Sequence, residues 1–424
     1  MNTSGLAHQA APAQAAMLSI PRGWRTYRLK HVAKLNREVL PEMTDPDSTF
    51  RYIDIGSVDS LGRISDVEEL TFGEAPSRAR RVVHRGDLIV STVRTYLRAI
   101  AQLEDLDGAV VASTGFATVT AGALVEQRFL YWWLRSTPFV EEVVARSTGV
   151  SYPAVNASDI GDIVVPVPPM DEQRRISKYL DSATARIDEL LAEQDQQIVL
   201  LEERLLAERR ALLLGPEGLG FPGWDYGRLK RFISIARGRF THRPRNDPAL
   251  YDGPYPFIQT GDIVSAVNGE IITWSQSLNE IGLAASRLAK KGTLVMAIAA
   301  NIGDIARLGF DACFPDSIVA LSGSAAVTDD YVLQLVRAIR TELIGGATLN
   351  TQLNTNVDRI GDIQVPIPPI LEQKRLVEVL DQSARDVQEL KLENNQQNSL
   401  LREHRQALIT AGVTGGLEAL REVA

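Results

Sequence analysis

Apolar and polar residues alternate in two different ways along this chain, and the change from one to the other happens at the same place in each half. From about residue 20 to 158, and again from about 220 to 358, short apolar runs are broken by Gly and Pro. Tyr52-Ile53-Asp54-Ile55, Leu88-Ile89-Val90 and Leu294-Val295-Met296 are examples, and they predict β-strands between turns. Phe129–Leu134 and Tyr331–Val336 carry no turn residues and predict helices that cover the sheets.

After Pro168-Pro169 and Pro368-Pro369 the pattern becomes helical, and Pro, which would break a helix, is absent until the next boundary. Spacings of three and four place Ile176, Leu180, Ala183, Ile187, Leu190, Gln194, Gln197 and Leu201 on one seam. Leu376, Leu380, Ser383, Val387, Leu390, Asn394, Gln397 and Leu401 repeat it at an offset of 200 residues. A continuous helix from Asp171 to Leu213 would be about 64 Å long, the length of a spacer rather than a cap. Two such seams predict an antiparallel coiled coil. The polar residues Gln194, Gln197, Asn394 and Gln397 would meet in its middle, fixing register and orientation at some cost in stability.

The seams belong to a larger repeat. Ile160-Gly161-Asp162-Ile163 through Pro168-Pro169 recurs as Ile360-Gly361-Asp362-Ile363 through Pro368-Pro369, and Gly23-Trp24 with Arg28-Leu29-Lys30 recurs as Gly223-Trp224 with Arg228-Leu229-Lys230. Between these anchors the halves diverge while keeping their outline, as where Arg85-Gly86-Asp87-Leu88 aligns with Lys291-Gly292-Thr293-Leu294 at an offset of 206. The expected fold is α+β: a pseudo-two-fold tandem repeat of two β-rich domains separated by two long antiparallel coiled-coil helices. Its expected parts are a disordered tail over 1–19, a first globular domain over 20–158 and a central helix over 159–215. A second globular domain over 220–358 and a C-terminal helix over 359–412 complete it. Met17 is a candidate start.

Composition narrows the function. At 424 residues the chain is long enough for more than one core, and 45% hydrophobic with 23% charged residues is an ordinary globular balance. No apolar run approaches the ~18 residues of a membrane-spanning helix, so a cytoplasmic protein without membrane contact is expected. One cysteine, Cys313, and five scattered histidines exclude a disulfide framework and a clustered zinc site. The net charge of −8 runs against nucleic-acid binding, but DNA responds to local patches and not to the sum over the surface.

Enzymatic motifs fail on their context. Gly218-Leu219-Gly220-Phe221-Pro222-Gly223 matches the dinucleotide fingerprint, yet it follows a helical stretch and places Pro222 where the next helix should open. Both Pro-Pro pairs lack the Asn/Asp-Pro-Pro-aromatic form of amino-methyltransferases. Pro315-Asp316 with Glu372-Gln373-Lys374 loosely imitates a magnesium nuclease, but the first copy has Glu172-Gln173-Arg174 at the same helix start, where an acid and an amide cap the first turn. No phosphate-binding Gly-Lys-Ser/Thr loop is present.

Two divergent domains held apart by a stiff helical pair suit a substrate with two different sites at fixed separation, as double-stranded DNA offers. Here the chain resembles a family, the specificity subunits of type I restriction-modification systems. The likeness rests on the paired tails Ile163–Gln173 and Ile363–Gln373, each opening a long helix, and on the Gly-Trp starts. It runs over essentially the full length. The resemblance implies two target-recognition domains, each reading half of a bipartite, asymmetric DNA site. It also implies helices that dock two modification (methyltransferase) subunits and, through them, restriction (nuclease-translocase) subunits. The chain itself would be non-catalytic and bind no cofactor, while S-adenosylmethionine, ATP and magnesium would belong to the partners.

Groove readout needs hydrogen-bonding side chains, and phosphate contact needs cations. Candidates in the first half are Arg78, Arg80, Arg81, Arg94, Tyr96 and Arg98, with Thr148, Ser151 and Tyr152 in the loop before the tail. In the second half they are Arg237, Arg239, His242, Arg243 and Arg245 with Phe240 interleaved, and Thr348, Asn350, Thr351, Gln352 and Asn354 in the corresponding loop. The competing readings are an exposed arginine-rich loop, a nuclease or methyltransferase, and a purely structural coiled-coil adaptor.

Overall fold

The computed structural model describes residues 20–417 apart from 66, 105–106, 150–152, 243, 346–347 and 350–352, so the expected tail over 1–19 lies outside it. The chain divides into two compact units. One runs up to Gln194 and resumes at Gln396; the other is Asp195–Asn395. Each is described in its own frame.

In the first unit, strand Arg25–Arg28 pairs antiparallel with Val164–Val167, joining the start of the domain to its end. One four-stranded sheet has the order Ala33–Leu35, Phe116–Ala121, Leu88–Ser91, Ile100–Gln102. A second has the order Glu68–Thr71, Thr49–Ile53, Val110–Ser113, Ala79–Val83, with its two central strands parallel. Helices Gln127–Arg135 and Thr137–Arg146 cover the first sheet, with Phe129, Trp132, Trp133 and Phe139 fully buried. Their core continues into the long helices through Ile176 and Leu180 on one and Ile409 and Val413 on the other.

The second unit repeats this plan. Asp225–Arg228 pairs with Gln364–Ile367. A five-stranded sheet runs Ile233–Arg237, Ile318–Gly323, Leu294–Ala297, Ile305–Leu308, Glu270–Ile271, and a four-stranded one runs Gln276–Leu278, Tyr251–Phe257, Ala312–Cys313, Leu288–Ala289. Helix Asp329–Ala338 lies over the larger sheet, and the core again takes in long-helix residues, here Leu213, Leu376 and Leu380. Burying 25 or so side chains across both kinds of element makes head and helix one cooperative body in each unit.

The central helix, Met170–Leu214, and the C-terminal helix, Ile370–Thr414, have 45 residues each, and both start later than the expected 159 and 359 because Val164–Val167 and Gln364–Ile367 are strands of the heads, ended by Pro-Pro. Each opens after Pro-Pro with an acid in its first turn and stops at a left-handed glycine, Gly215 (φ 66°) and Gly415 (φ 80°), where a side chain would strain the turn. They run antiparallel in both units, through Asp188–Arg405 and Gln194–Gln397 in the first and Glu202–Lys391 and Glu208–Ser383 in the second.

The seam differs from the expected one at every second position. The inward residues are Leu180, Thr184, Ile187, Leu191, Gln194, Ile198 and Leu201, and on the partner helix Leu380, Ala384, Val387, Lys391, Asn394, Asn398 and Leu401. Ala183, Leu190 and Gln197, like Ser383, Leu390 and Gln397, therefore sit one residue off the seam. The reason is phase: steps of three-four and four-three both satisfy a heptad, and apolar residues at 190 and 390 make the wrong one attractive. Gln197 is exposed. Gln194 faces inward and its Nε2 donates to Gln397 Oε1 at 3.0 Å across the pair.

Candidate nucleic-acid interface

The site residues expected in the first half fall into two groups. Arg94, Tyr96 and Arg98 form a tight turn, Thr95–Leu97, whose flanks Arg94 (φ 49°) and Arg98 (φ 56°) are both left-handed without being glycine. Such strain persists only where surrounding contacts over-determine it. Those contacts come from the loop before the tail. Arg94 N donates to Pro153 O (2.8 Å), Val155 N to Thr92 O (2.9 Å), and Thr148 and Ala154 exchange both backbone bonds (2.8 and 2.9 Å). The buried Thr95 hydroxyl meets Ser147 Oγ at 3.0 Å. Two segments far apart in sequence are thus one surface, and the turn presents Tyr96 (55% exposed) and Leu97 (44%) at its tip. Arg98 is half-buried, and that burial lowers its pKa against the opposing pull of Glu141. Ser151 and Tyr152 lie outside the described residues.

Arg80 and Arg81 stand elsewhere, on the edge strand Ala79–Val83 of the other sheet, with Arg78 just before it. Arg78 is held by Asp54 (2.6 Å) and the Tyr52 hydroxyl (3.2 Å). Arg80 lies over the Phe72 ring at 4.7 Å. Arg81 has its Nε buried with no hydrogen-bond partner among the described residues, and burial lowers its pKa.

In the second half the basic segment is laced to its own domain. Arg237 Nε donates to Asp316 O (2.7 Å), Arg245 pairs with the Asp316 carboxylate, and Arg239 donates to Ser286 O (2.8 Å). His242 bonds Asp247 at 3.0 Å, and the Ala249 N–H, then His242, hold that carboxyl below its usual range. Asp316 is therefore an arginine partner. Phe240 is not an interleaved stacking residue: it is 3% exposed and packs on Phe257 with ring centroids 4.9 Å apart. Arg243 lies outside the described residues, as do Asn350, Thr351 and Gln352. Around them, Thr348–Leu349 and Leu353–Asn354 form a hairpin with Thr348 opposite Asn354.

That hairpin leads to Thr355, whose N–H donates to Ile298 O at 3.0 Å. Here lies a segment the sequence reading missed. The turn Ala299–Asp304 stands where Arg94–Arg98 stands in the first unit, with Ala300 (φ 60°) left-handed at the position matching Arg94, and Asn301 exposed. The offset of 206 seen between Leu88 and Leu294 carries Arg94 onto Ala300 and was the available signal.

The helix starts also do more than cap themselves. Gln173 is fully buried; its Oε1 accepts Glu126 N (2.6 Å) and its Nε2 donates to Leu124 O (3.2 Å) and Pro168 O (2.8 Å). Gln373 repeats this with Thr328 N (2.9 Å), Ala326 O (2.8 Å) and Pro368 O (2.8 Å). In both units the residue so held is the N-cap of the covering helix. Asp162 joins Lys30 (2.7 Å) and Arg28 (3.0 Å), and Asp362 joins Lys230 (2.8 Å) and Arg228 (3.3 Å). No group of three or more His, Cys, Asp or Glu side chains suited to a metal occurs among the described residues. No described helix is long and apolar enough to cross a membrane.

Two α+β heads with the same frame and different exposed turns, each sharing a core with long antiparallel helices, define a tandem-repeat recognition protein. The chain belongs to the type I restriction modification DNA specificity domain family, whose profile matches it twice, at residues 21–200 and 223–401. It is 22% identical over 171 residues to the type I restriction enzyme EcoDI specificity subunit of Escherichia coli, covering 40% of this chain and 37% of that protein. It is 22% identical over 263 residues to a putative type I restriction enzyme specificity subunit of Haemophilus influenzae, covering 61% and 64%. The chain thus spans less than two thirds of either curated relative. A solved chain described under "Structural basis underlying complex assembly and conformational transition of the type I R-M system" matches with TM-score 0.71 and 26% identity, covering 94% of this chain and 99% of that one.

Proposed function

We propose that this chain is the DNA sequence-specificity subunit of a type I restriction-modification complex, with each head reading one half of a bipartite, asymmetric site. One observation carries the reading: the heads share key frame bonds, Leu29 N to Ile163 O with Leu229 N to Ile363 O and Val155 N to Thr92 O with Thr355 N to Ile298 O, while the turns they hold out differ, Arg-Thr-Tyr-Leu-Arg over 94–98 against Ala-Asn-Ile-Gly over 300–303. A duplicated frame with unlike tips fits two unlike half-sites. Arg94, Arg98, Arg78, Arg80, Arg81, Arg237, Arg239, His242, Arg243 and Arg245 supply phosphate contact, and Tyr96, Thr148, Ser151, Tyr152, Asn301 and the 348–354 hairpin supply base contact.

The chain carries no bond-breaking chemistry of its own. The exposed faces of the two long helices dock two modification subunits and, through them, restriction subunits. S-adenosylmethionine, ATP and magnesium act on those partners, in the cytoplasm. Mapping methylated adenines across the host genome tests this. Two short motifs separated by unspecified bases, lost when the gene is deleted, are the expected result; a continuous motif, or one that survives deletion, refutes it.

A further inference from the structure

In the second unit a cleft of about 840 Å³ opens where the head meets the two long helices. Its wall holds more positive charge than the chain neutralises. Arg209 is 7% exposed, and its Nε donates to Gln334 Oε1 at 3.0 Å. The side chain of Arg337, also largely covered, makes no hydrogen bond or ion pair among the described residues and feels only the more distant Asp381. Burial, with the neighbouring Arg337 adding to it, pushes Arg209 down to about 10, while Asp381 and Glu208 pull the other way. Arg385 lines the same cleft with an amide partner, Gln382, at 2.7 Å. Of the acids there, Glu202 is taken by Lys391 and Asp330 by Arg307. Asp381 and Glu270 remain against three guanidinium groups, and one Asp381 oxygen already accepts Gln334 Nε2 at 2.6 Å.

At the same junction of the first unit the long-helix arginine has its acid. There the buried Arg405, 4% exposed, is clasped by Asp188 through two bonds of 2.9 and 3.1 Å. Arg135, on the covering helix that matches the helix of Arg337, donates to Ile100 O (2.7 Å) and Ser60 O (2.8 Å). At the repeat offset of 200, Asp188 becomes Gln388 and Arg405 becomes Leu205, and both line the cleft. The cation has moved one turn along, to Arg209, where the first unit carries the buried Ile409. The second unit therefore kept a buried cation and lost the acid that clasps it, leaving Asp381 and Glu208 to act on Arg209 without a direct ion pair. A charge buried without a counter-charge is costly, and a ligand anion removes that cost.

We propose that this cleft binds a phosphate-type oxyanion, free phosphate or the phosphate group of a nucleotide, between Arg209, Arg337 and Arg385. Guanidinium forks match tetrahedral oxyanions with paired, charge-assisted hydrogen bonds, and exclusion of water strengthens them. The cleft is several times larger than one phosphate, which leaves space for the rest of a phosphomonoester. The proposal does not depend on what the heads read.

The test uses the full-length chain. Inorganic phosphate, and in a second arm adenosine 5′-monophosphate, are titrated by calorimetry and by thermal unfolding against sodium chloride at equal ionic strength. Both the binding heat and a phosphate-specific rise in Tm are expected. Tighter binding of the nucleotide assigns the site to nucleotides, and equal binding assigns it to free phosphate. R337Q is expected to weaken binding about tenfold or more and, having lost an unmatched cation, to melt no lower than the parent without phosphate. Q388D restores the missing acid and is expected to raise Tm in chloride while reducing the phosphate response by a similar factor. A Tm that follows ionic strength alone, or an unchanged phosphate response in both variants, overturns the proposal.

Discussion

In the first unit Gln173 takes the N–H of Glu126 and gives its amide hydrogens to Leu124 and Pro168; in the second, Gln373 does the same with Thr328, Ala326 and Pro368. About the same depth into each head, Thr95 and Tyr96 of one copy face Asn301 and Ile302 of the other in the alignment, and nothing is retained except the left-handed residue that starts the turn. The buried glutamine is kept in both copies, because losing it strands the buried polar groups it satisfies. Turns whose tips reach solvent change freely. In a duplicated recognition protein the first kind of residue sets the frame and the second kind carries the information.

The largest expected effect breaks the comparison at the helix pair. Asp188→Ala leaves Arg405 buried and uncompensated, and should cost about 3 kcal/mol in urea unfolding, discounted for the part of Asp188 that reaches water. Replacing both partners together, Asp188→Leu with Arg405→Met, should recover most of that loss. A double variant as unstable as the single one would mean that the pair contributes through packing alone.

Next come the braces. Gln173→Ala removes three hydrogen bonds and Gln373→Ala four from a fully buried amide, and each should cost about 2 kcal/mol. Near-equal losses sharpen the claim of a shared frame; loss in one copy only breaks it.

Smaller and of another kind is the effect at the tips. Tyr96→Ala and Asn301→Ala remove exposed side chains, so stability should hold within about 0.5 kcal/mol while DNA affinity in the assembled complex falls about tenfold. Duplexes altered in one half-site at a time, read by fluorescence anisotropy, should assign each residue to a different half. Tyr96→Ala binding every duplex like the parent would remove that turn from the interface.

The smallest effect is electrostatic. Lys30 and Arg28 hold Asp162 below the ordinary carboxylate range, and Lys230 with Arg228 does so for Asp362. A depressed folded pKa means the unfolded chain takes up the proton first. The stabilisation is therefore complete above the unfolded value of about 3.9 and is lost as pH falls through the folded one. These pairs are exposed, so the acid-side slope should shrink in high salt and be nearly alike for Asp162→Asn and Asp362→Asn.

Much of the molecule was legible in the residues. The repeat of Ile160–Pro169 as Ile360–Pro369 announced two copies, and the exclusion of Pro after each Pro-Pro announced both 45-residue helices. Phe240 was misread because an aromatic between arginines looks the same in sequence whether it stacks on a base or fills a core. Leu190 and Leu390 misled the seam because a lone apolar residue is a weak marker of phase. Of the candidate contacts, Arg94 and Thr148 proved to share one hydrogen-bonded surface, while Arg80 and Arg81 stand on another sheet, with Arg78 just before their strand.

By itself the sequence determined what depends on local chemistry and on repetition: that a long helix follows each Pro-Pro pair, that strand-like runs precede it, and that one plan is used twice. Tertiary structure alone decided which distant segments meet, because hydrogen bonds such as Arg94 to Pro153, or Gln373 to Thr328, are set by packing and not by distance along the chain. It also decided which charges are left over. Asp188 and Gln388 are an acid and an amide at matching positions, yet only the fold reveals that one neutralises a buried arginine and the other lines a cleft where Arg209 and the largely covered Arg337 have too little acid between them.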